Sequence, residues 1–177
     1  MSTLERPPWS RRTFQFRHPE WMLADFIERL RGTADRLAAL LADVPAARVH
    51  APVEGSWSIA QHAGHLADVE ELWKQRVEDL RAGRTILTPA RGPYFTELAA
   101  RHVSRPILDI LAEFAHRRNW YVEVLAGADA ALQERRAFHE RLQCDMRLVD
   151  GAQFVAEHDD HHLLRIRALL GAAAGAE

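Results

Sequence analysis

Apolar residues recur three and four positions apart through four long stretches of this 177-residue chain. A chain so spaced buries them only as amphipathic helices laid face to face. The first stretch begins near Pro19 and carries Leu23, Phe26, Ile27, Leu30, Ala34, Leu37 and Leu41 before Val44 and Pro45 end it. The second opens at Ser58, three residues before Gln61, a capping-box spacing that satisfies free amides at a helix start; its stripe of Ile59, Leu66, Val69, Trp73, Val77 and Leu80 runs to Gly83. The third has Ser104 as its expected cap and Pro106 in its first turn, with Ile107, Ile110, Leu111, Phe114, Tyr121, Val122 and Leu125 inward up to Gly127. The fourth runs from about Met146 to Leu170 with Leu148, Ala152, Val155, Ile166 and Leu169 inward.

The connections complete the architecture. Pro45 to Gly55 has two prolines and no apolar period, hence a loop. The segment from Gly83 to Ser104 holds Pro89, Gly92 and Pro93 and is too long for a tight turn, so it reads as a crossover between helices two and three. A polar connection leads on to Cys144, with a short helix expected around Ala130 to Phe138 and no strand of useful length. The expected fold is all-α, a four-helix bundle in one domain over residues 1–177, with an N-terminal arm over 1–17 and a flexible tail over 171–177.

Charge narrows the function classes. Twenty-three basic against 25 acidic residues leave a formal charge of −2, which gives no electrostatic support for nucleic-acid binding. No apolar run approaches the ~20 residues of a membrane span, and MSTLERPPWSRRTF has neither an apolar core segment nor a small-residue cleavage site. The expected location is the cytoplasm, and a single cysteine, Cys144, accords with a reducing compartment. The exposed aromatic arm of Trp9, Phe14 and Phe16 is expected to pack on a partner subunit.

Ten histidines are the unusual chemical feature. His158 and His162 stand at i,i+4 on the fourth helix, which stacks their side chains on one face. A wheel drawn from Leu148 puts both near the apolar stripe and His161 toward solvent. On helix two the same construction turns both His62 and His65 inward and does not choose between them. Several neutral imidazoles in one core need polar partners or a metal. His18, His50, His102, His116 and His139 read as packing or surface residues.

Two other metal patterns fail on spacing. A di-iron bundle site needs two Glu-x-x-His motifs, but Glu113 and His116 fall on the outer side of helix three. The zincin motif needs Glu directly after its first histidine, and Asp159 holds that place. Asp159 and, on helix two, Glu70 are inward acids able to take a proton from a bound water or from a ligand's second nitrogen. Arg84, Arg91 and Arg101 read as residues of a solvated loop, with the alternative of holding a carboxylate-bearing thiol.

The strings WSIAQHAGHLADVEELW, Trp57 to Trp73, and VAEHDDHHLLRI, Val155 to Ile166, resemble the DinB/YfiT-like metalloenzyme family, in order as well as in residue type. The resemblance spans about Trp21 to Leu170, although only these two strings are specific. It implies an up-down-down-up four-helix bundle, often dimeric, with metal ligands at His65, His158 and His162, so that His65 is favoured over His62. It also implies a divalent ion, zinc or nickel first, with iron or manganese as further candidates. Some family members are transferases using a low-molecular-weight thiol.

Three protein ligands leave a coordination position open. The function expected is therefore a metal-dependent enzyme on a small-molecule substrate, activating either a thiol for S-transfer or a water for hydrolysis, with Asp159 or Glu70 as base. The alternative is a noncatalytic metal-binding stress or interaction protein, in which a fourth ligand such as His62 or His161 closes the site.

Overall fold

The computed structural model describes residues 7–172, so the start of the expected arm and residues 173–177 of the expected tail lie outside the described residues. The first helical stretch is a 3₁₀ turn, Glu20–Met22, followed by α1 (Leu23–Arg31) and α2 (Thr33–Leu41). The two meet at Gly32, where the buried Thr33 hydroxyl donates back to Arg29 O. The expected loop after it contains a single turn, α3 (Ala46–Val49), which seats Val49 in the core.

Helix α4 (Ile59–Arg81) starts as its sequence predicts: the Ser58 side chain accepts from Gln61 N, and the Gln61 side chain accepts from Ser58 N. It ends at Gly83, which takes the left-handed φ of 68° that favours glycine. The crossover is more ordered than expected, since it includes α5 (Gly92–Ala100). Helix α6 (Ile107–Ala126) is capped by Pro106 with no side-chain bond, so Ser104 is not its cap. After α7 (Ala130–Glu134) the chain forms a small hairpin, β1 (Ala137–His139) with β2 (Cys144–Met146), against the expectation of no strand. Gln143 takes a φ of 53° in its turn. Helix α8 (Leu148–Ala172) follows, its first turn held where Asp150 Oδ2 accepts from Arg147 N at 2.9 Å.

Contacts fix the direction of each helix. Arg29 bonds Glu157, Arg36 bonds Asp160 and Arg48 bonds the carbonyls of Leu169 and Leu170, so the first stretch runs parallel to α8. Arg117 reaches Ala67 O and Arg118 reaches Glu70, while Ile110 and Phe114 share a cluster with Ile59 and Ala63, so α6 runs parallel to α4. His62 meets His162 and Trp73 meets Phe154, which makes α4 antiparallel to α8. The order is therefore up-down-down-up. Two parallel neighbours, α4 and α6, need the long crossover between them.

The apolar interior falls into two clusters. One gathers Leu23, Val69, Trp73, Leu125 and Phe154; the other gathers Leu37, Leu66, Ile110, Phe114 and Ile166. Between them the same helices bury a polar level: His65, Glu70, Arg118, His158, Asp159 and His162, each at most 6% exposed. Among the described residues no helix is long and apolar enough to cross a membrane.

The arm corrects one expectation. Trp9 is half-buried where it was expected to be exposed: its ring lies 5.1 Å from Phe154 and 5.1 Å from His158, and Phe14 packs edge-on to it.

Candidate metal centre

Three buried imidazoles meet where α4 passes α8. His65, His158 and His162 each offer a ring nitrogen within 4.8 Å of the others. Their ring centroids lie 5.2, 4.8 and 4.6 Å apart, and His65 Nε2 faces His158 Nε2 at 3.3 Å. The i,i+4 spacing on α8 supplies two of the rings, and an antiparallel helix at the same level supplies the third.

Burial sets the protonation of this group. It pushes His65 down to about 4 and His158 and His162 well below the usual imidazole range, the neighbouring imidazoles adding to the shift. All three are therefore neutral at physiological pH, with lone pairs available to a cation. His65 Nδ1 and His158 Nδ1 are buried without a hydrogen-bond partner, an expensive arrangement for rings that serve only as packing.

His62, left open by the helical wheel, does turn inward but stands one step outside the group: its Nδ1 lies 3.0 Å from His162 Nδ1. A hydrogen from one ring to the other there fixes the tautomer of His162. His161 is half-buried, with Nδ1 3.1 Å from Arg12 Nη2. Aromatic rings wall the site. Trp57 lies 4.9 Å from His65, Phe95 5.5 Å from His65 and Trp73 5.6 Å from His158.

The two acids singled out from the sequence are buried but do not join the imidazoles. Both are held by Arg118, a fully buried guanidinium on α6 that the sequence reasoning missed. Arg118 Nε and Nη2 donate to Glu70 Oε1 at 3.1 and 2.5 Å, Nη2 donates to Asp159 Oδ1 at 3.1 Å, and Nη1 donates to Asp159 Oδ2. Burial works against the charge of Arg118, yet Asp159 and Glu70 together hold its pKa above the ordinary arginine value. Burial pushes Glu70 up to about 7, partly countered by Arg118, and its Oε2 has no partner. A signal for Arg118 was present: it interrupts the apolar stripe between Phe114 and Tyr121, level with two inward acids on facing helices.

Other residues fall as follows. Arg84 pairs with Asp79 at 3.4 Å, and Arg91 and Arg101 are exposed. His102 is buried and bonds Asp68 at 3.0 Å. Its ring occupies the place where a Cβ on residue 64 would stand, 2.2 Å from the nearest ring atom, so the position requires Gly64.

The fold and the site together define a class: up-down-down-up helical bundles with a histidine cluster buried between facing helices. The DinB superfamily model matches residues 29–166, and the chain belongs to that superfamily. Among solved structures the chain is similar to YfiT from Bacillus subtilis, described as a probable metal-dependent hydrolase with an unusual four-helix bundle topology. The two are 16% identical, the match covers 92% of this chain and 94% of that one, and the TM-score is 0.76. A comparison with curated proteins finds no significant match.

Proposed function

We propose that the protein is a divalent-metal-dependent hydrolase of small molecules, with His65, His158 and His162 as the metal ligands. The observation that carries this is the convergence of three buried, neutral imidazoles, each with a ligand nitrogen within 4.8 Å of the others. Zinc and nickel suit an all-imidazole donor set, as do iron and, less closely, manganese. When bound, such an ion supplies a Lewis acid that brings the pKa of a coordinated water or thiol toward neutrality.

The chain's own residues do the rest. His62 fixes the ring of His162 through the 3.0 Å contact between their Nδ1 atoms. Arg118 ties Asp159, next in the chain to His158, to Glu70 on α4, so the helices that carry the ligands cannot slide past each other without breaking a buried ion pair. Asp159 and Glu70 enter as positioning groups, because both of Asp159's oxygens and one of Glu70's are engaged by the guanidinium. Trp9, Trp57, Trp73 and Phe95 restrict water at the site.

Hydrolysis is favoured over thiol transfer by the description of YfiT, which shares the fold. The test is to assay metal-loaded protein against a panel of activated esters and amides, with and without glutathione, bacillithiol or mycothiol. Turnover that needs metal, needs no thiol and is lost in His158→Ala is expected. Activity only with thiol and an electrophile overturns the hydrolase assignment in favour of S-transfer. No turnover, with four protein ligands on the ion, favours a noncatalytic metal protein.

A further inference from the structure

Beside the histidine cluster, around the ring of Phe154, the fold collects hydrogen-bond donors and, among the described residues, no paired carboxylate to match them. Arg76 of α4 is 7% exposed and lies over the Trp73 ring at 5.3 Å. Its Nε donates to Thr88 O at 3.0 Å, and its two terminal nitrogens have no partner among the described residues. Arg141, in the hairpin turn, lies over Phe154 at 5.5 Å, and its one hydrogen bond is a long one, 3.4 Å to Ser10 O. Neither guanidinium has a carboxylate within ion-pair distance among the described residues.

Two neutral donors complete the set. His139 is 4% exposed with its ring 5.6 Å from Phe154. Leu142 N donates to its Nδ1 at 3.3 Å, which leaves the proton on Nε2, and Nε2 is buried without a partner. Trp73 Nε1, a donor only, is likewise buried and unpartnered. Two groups favour the charge of Arg76: Tyr121 first, and then Asp79, which is already engaged by Thr88 N, Gln75 and Arg84.

Arg76 is buried and Arg141 is exposed, and the two cations sit close enough to repel. Burial first lowers Arg76 to about 10, Tyr121 and Asp79 opposing the shift and Arg141 adding to it. Burial and then the two arginines push His139 down to about 4, so it stays a neutral donor. Guanidinium, imidazole and indole donors gathered without a carboxylate suit an oxyanion. The cavity at Arg76, lined also by Tyr121, Leu87 and Phe154, has a volume of about 20 Å³, enough for about one oxygen atom and no organic body. The body of the ligand therefore lies outward, against the partly exposed ring of Trp9, which Arg141 covers at 5.9 Å and which contacts the His158 ring at 5.1 Å.

We propose that Arg76, Arg141 and His139, with Trp73, form a subsite for the carboxylate of a small organic substrate, one aromatic ring away from the histidine cluster. Its catalytic use rests on the hydrolase assignment above; its existence does not. It predicts that the substrate is an acid with an apolar body.

Tryptophan fluorescence of the full-length protein, titrated with benzoate, benzyl alcohol and inorganic phosphate, tests this directly. Running each titration on metal-loaded and on chelator-treated protein separates the subsite from the ion. Benzoate is expected to bind in both forms, at least ten-fold tighter than benzyl alcohol and tighter than phosphate. Arg141→Gln, at an exposed position, and Arg76→Gln are each expected to weaken benzoate at least ten-fold, while chelator treatment leaves the benzoate affinity of the parent protein within two-fold. Benzoate binding no better than benzyl alcohol, phosphate binding tighter than benzoate, or an unchanged benzoate affinity in Arg141→Gln overturns the subsite. Loss of metal binding with benzoate affinity intact counts against the hydrolase assignment alone.

Discussion

Arg118 is the residue on which the interior depends. It has two carboxylates and the Leu30 carbonyl as partners and no water-exposed surface, so removing it leaves two acids facing each other out of solvent. Arg118→Met is expected to lower the unfolding free energy by about 3–5 kcal/mol, the usual cost of breaking a buried ion pair from one side. The loss measured by urea unfolding should be smaller at pH 5 than at pH 8, because Glu70, which burial raises to about 7, takes a proton at the lower pH. Equal losses at both pH values contradict the role. Gly64 makes a second test at this scale. A methyl there meets the His102 ring at 2.2 Å, and an immobile ring in a filled core does not yield cheaply. Gly64→Ala should cost about 1–3 kcal/mol, and thermal unfolding unchanged from the parent would show that His102 moves freely.

At the scale of elements, legibility followed length. The long helices announce themselves because a 3.6-residue period repeated over five or more turns has one interpretation, and the Ser58–Gln61 box fixes where α4 starts to the residue. Helix α7 falls within the short helix expected around Ala130 to Phe138, whereas α3, α5 and the hairpin carry too few residues to show a period; tertiary contacts such as Val49 in the core hold them. The site was legible to the same degree. His158 and His162 follow from spacing within one helix, but the choice of His65 over His62 needs the register of α4 against α8, which no single-helix pattern contains. Arg118 left only a break in the apolar stripe of α6, easily passed over because an arginine is ordinarily a surface residue and its partners lie on other helices. The proposed carboxylate subsite was invisible for the same reason, since Arg141 and His139 sit on the unforeseen hairpin and Arg76 on a helix that reads as ordinary.

For the whole molecule, the buried imidazoles tie stability and metal binding to pH. His62, His65 and His139 are each lowered from about 6.5 to about 4, burial being the first cause. Between those values the unfolded chain takes up protons that the folded chain refuses, so the stability is fully present above pH 6.5 and is lost as pH falls toward 4. Glu70, raised from about 4.5 to about 7, acts in the opposite direction, its contribution fading as pH rises to 7; one group offsets part of the effect of three. Urea unfolding of chelator-treated protein should therefore weaken steadily from pH 6.5 to pH 4, and a stability that is flat or rising over that range contradicts the assignment. Protons compete with a metal for His65 only as pH nears 4, so zinc affinity should change little between pH 8 and pH 6; a collapse centred at 6.5 would mean that the rings are solvated. The most direct measurement is calorimetric titration of zinc into chelator-treated protein prepared without a nickel column. One ion per chain is expected, with binding abolished or weakened at least a hundred-fold in His65→Ala, His158→Ala and His162→Ala, and retained in His161→Ala. An unchanged isotherm in any of the first three variants would show that these imidazoles do not share an ion.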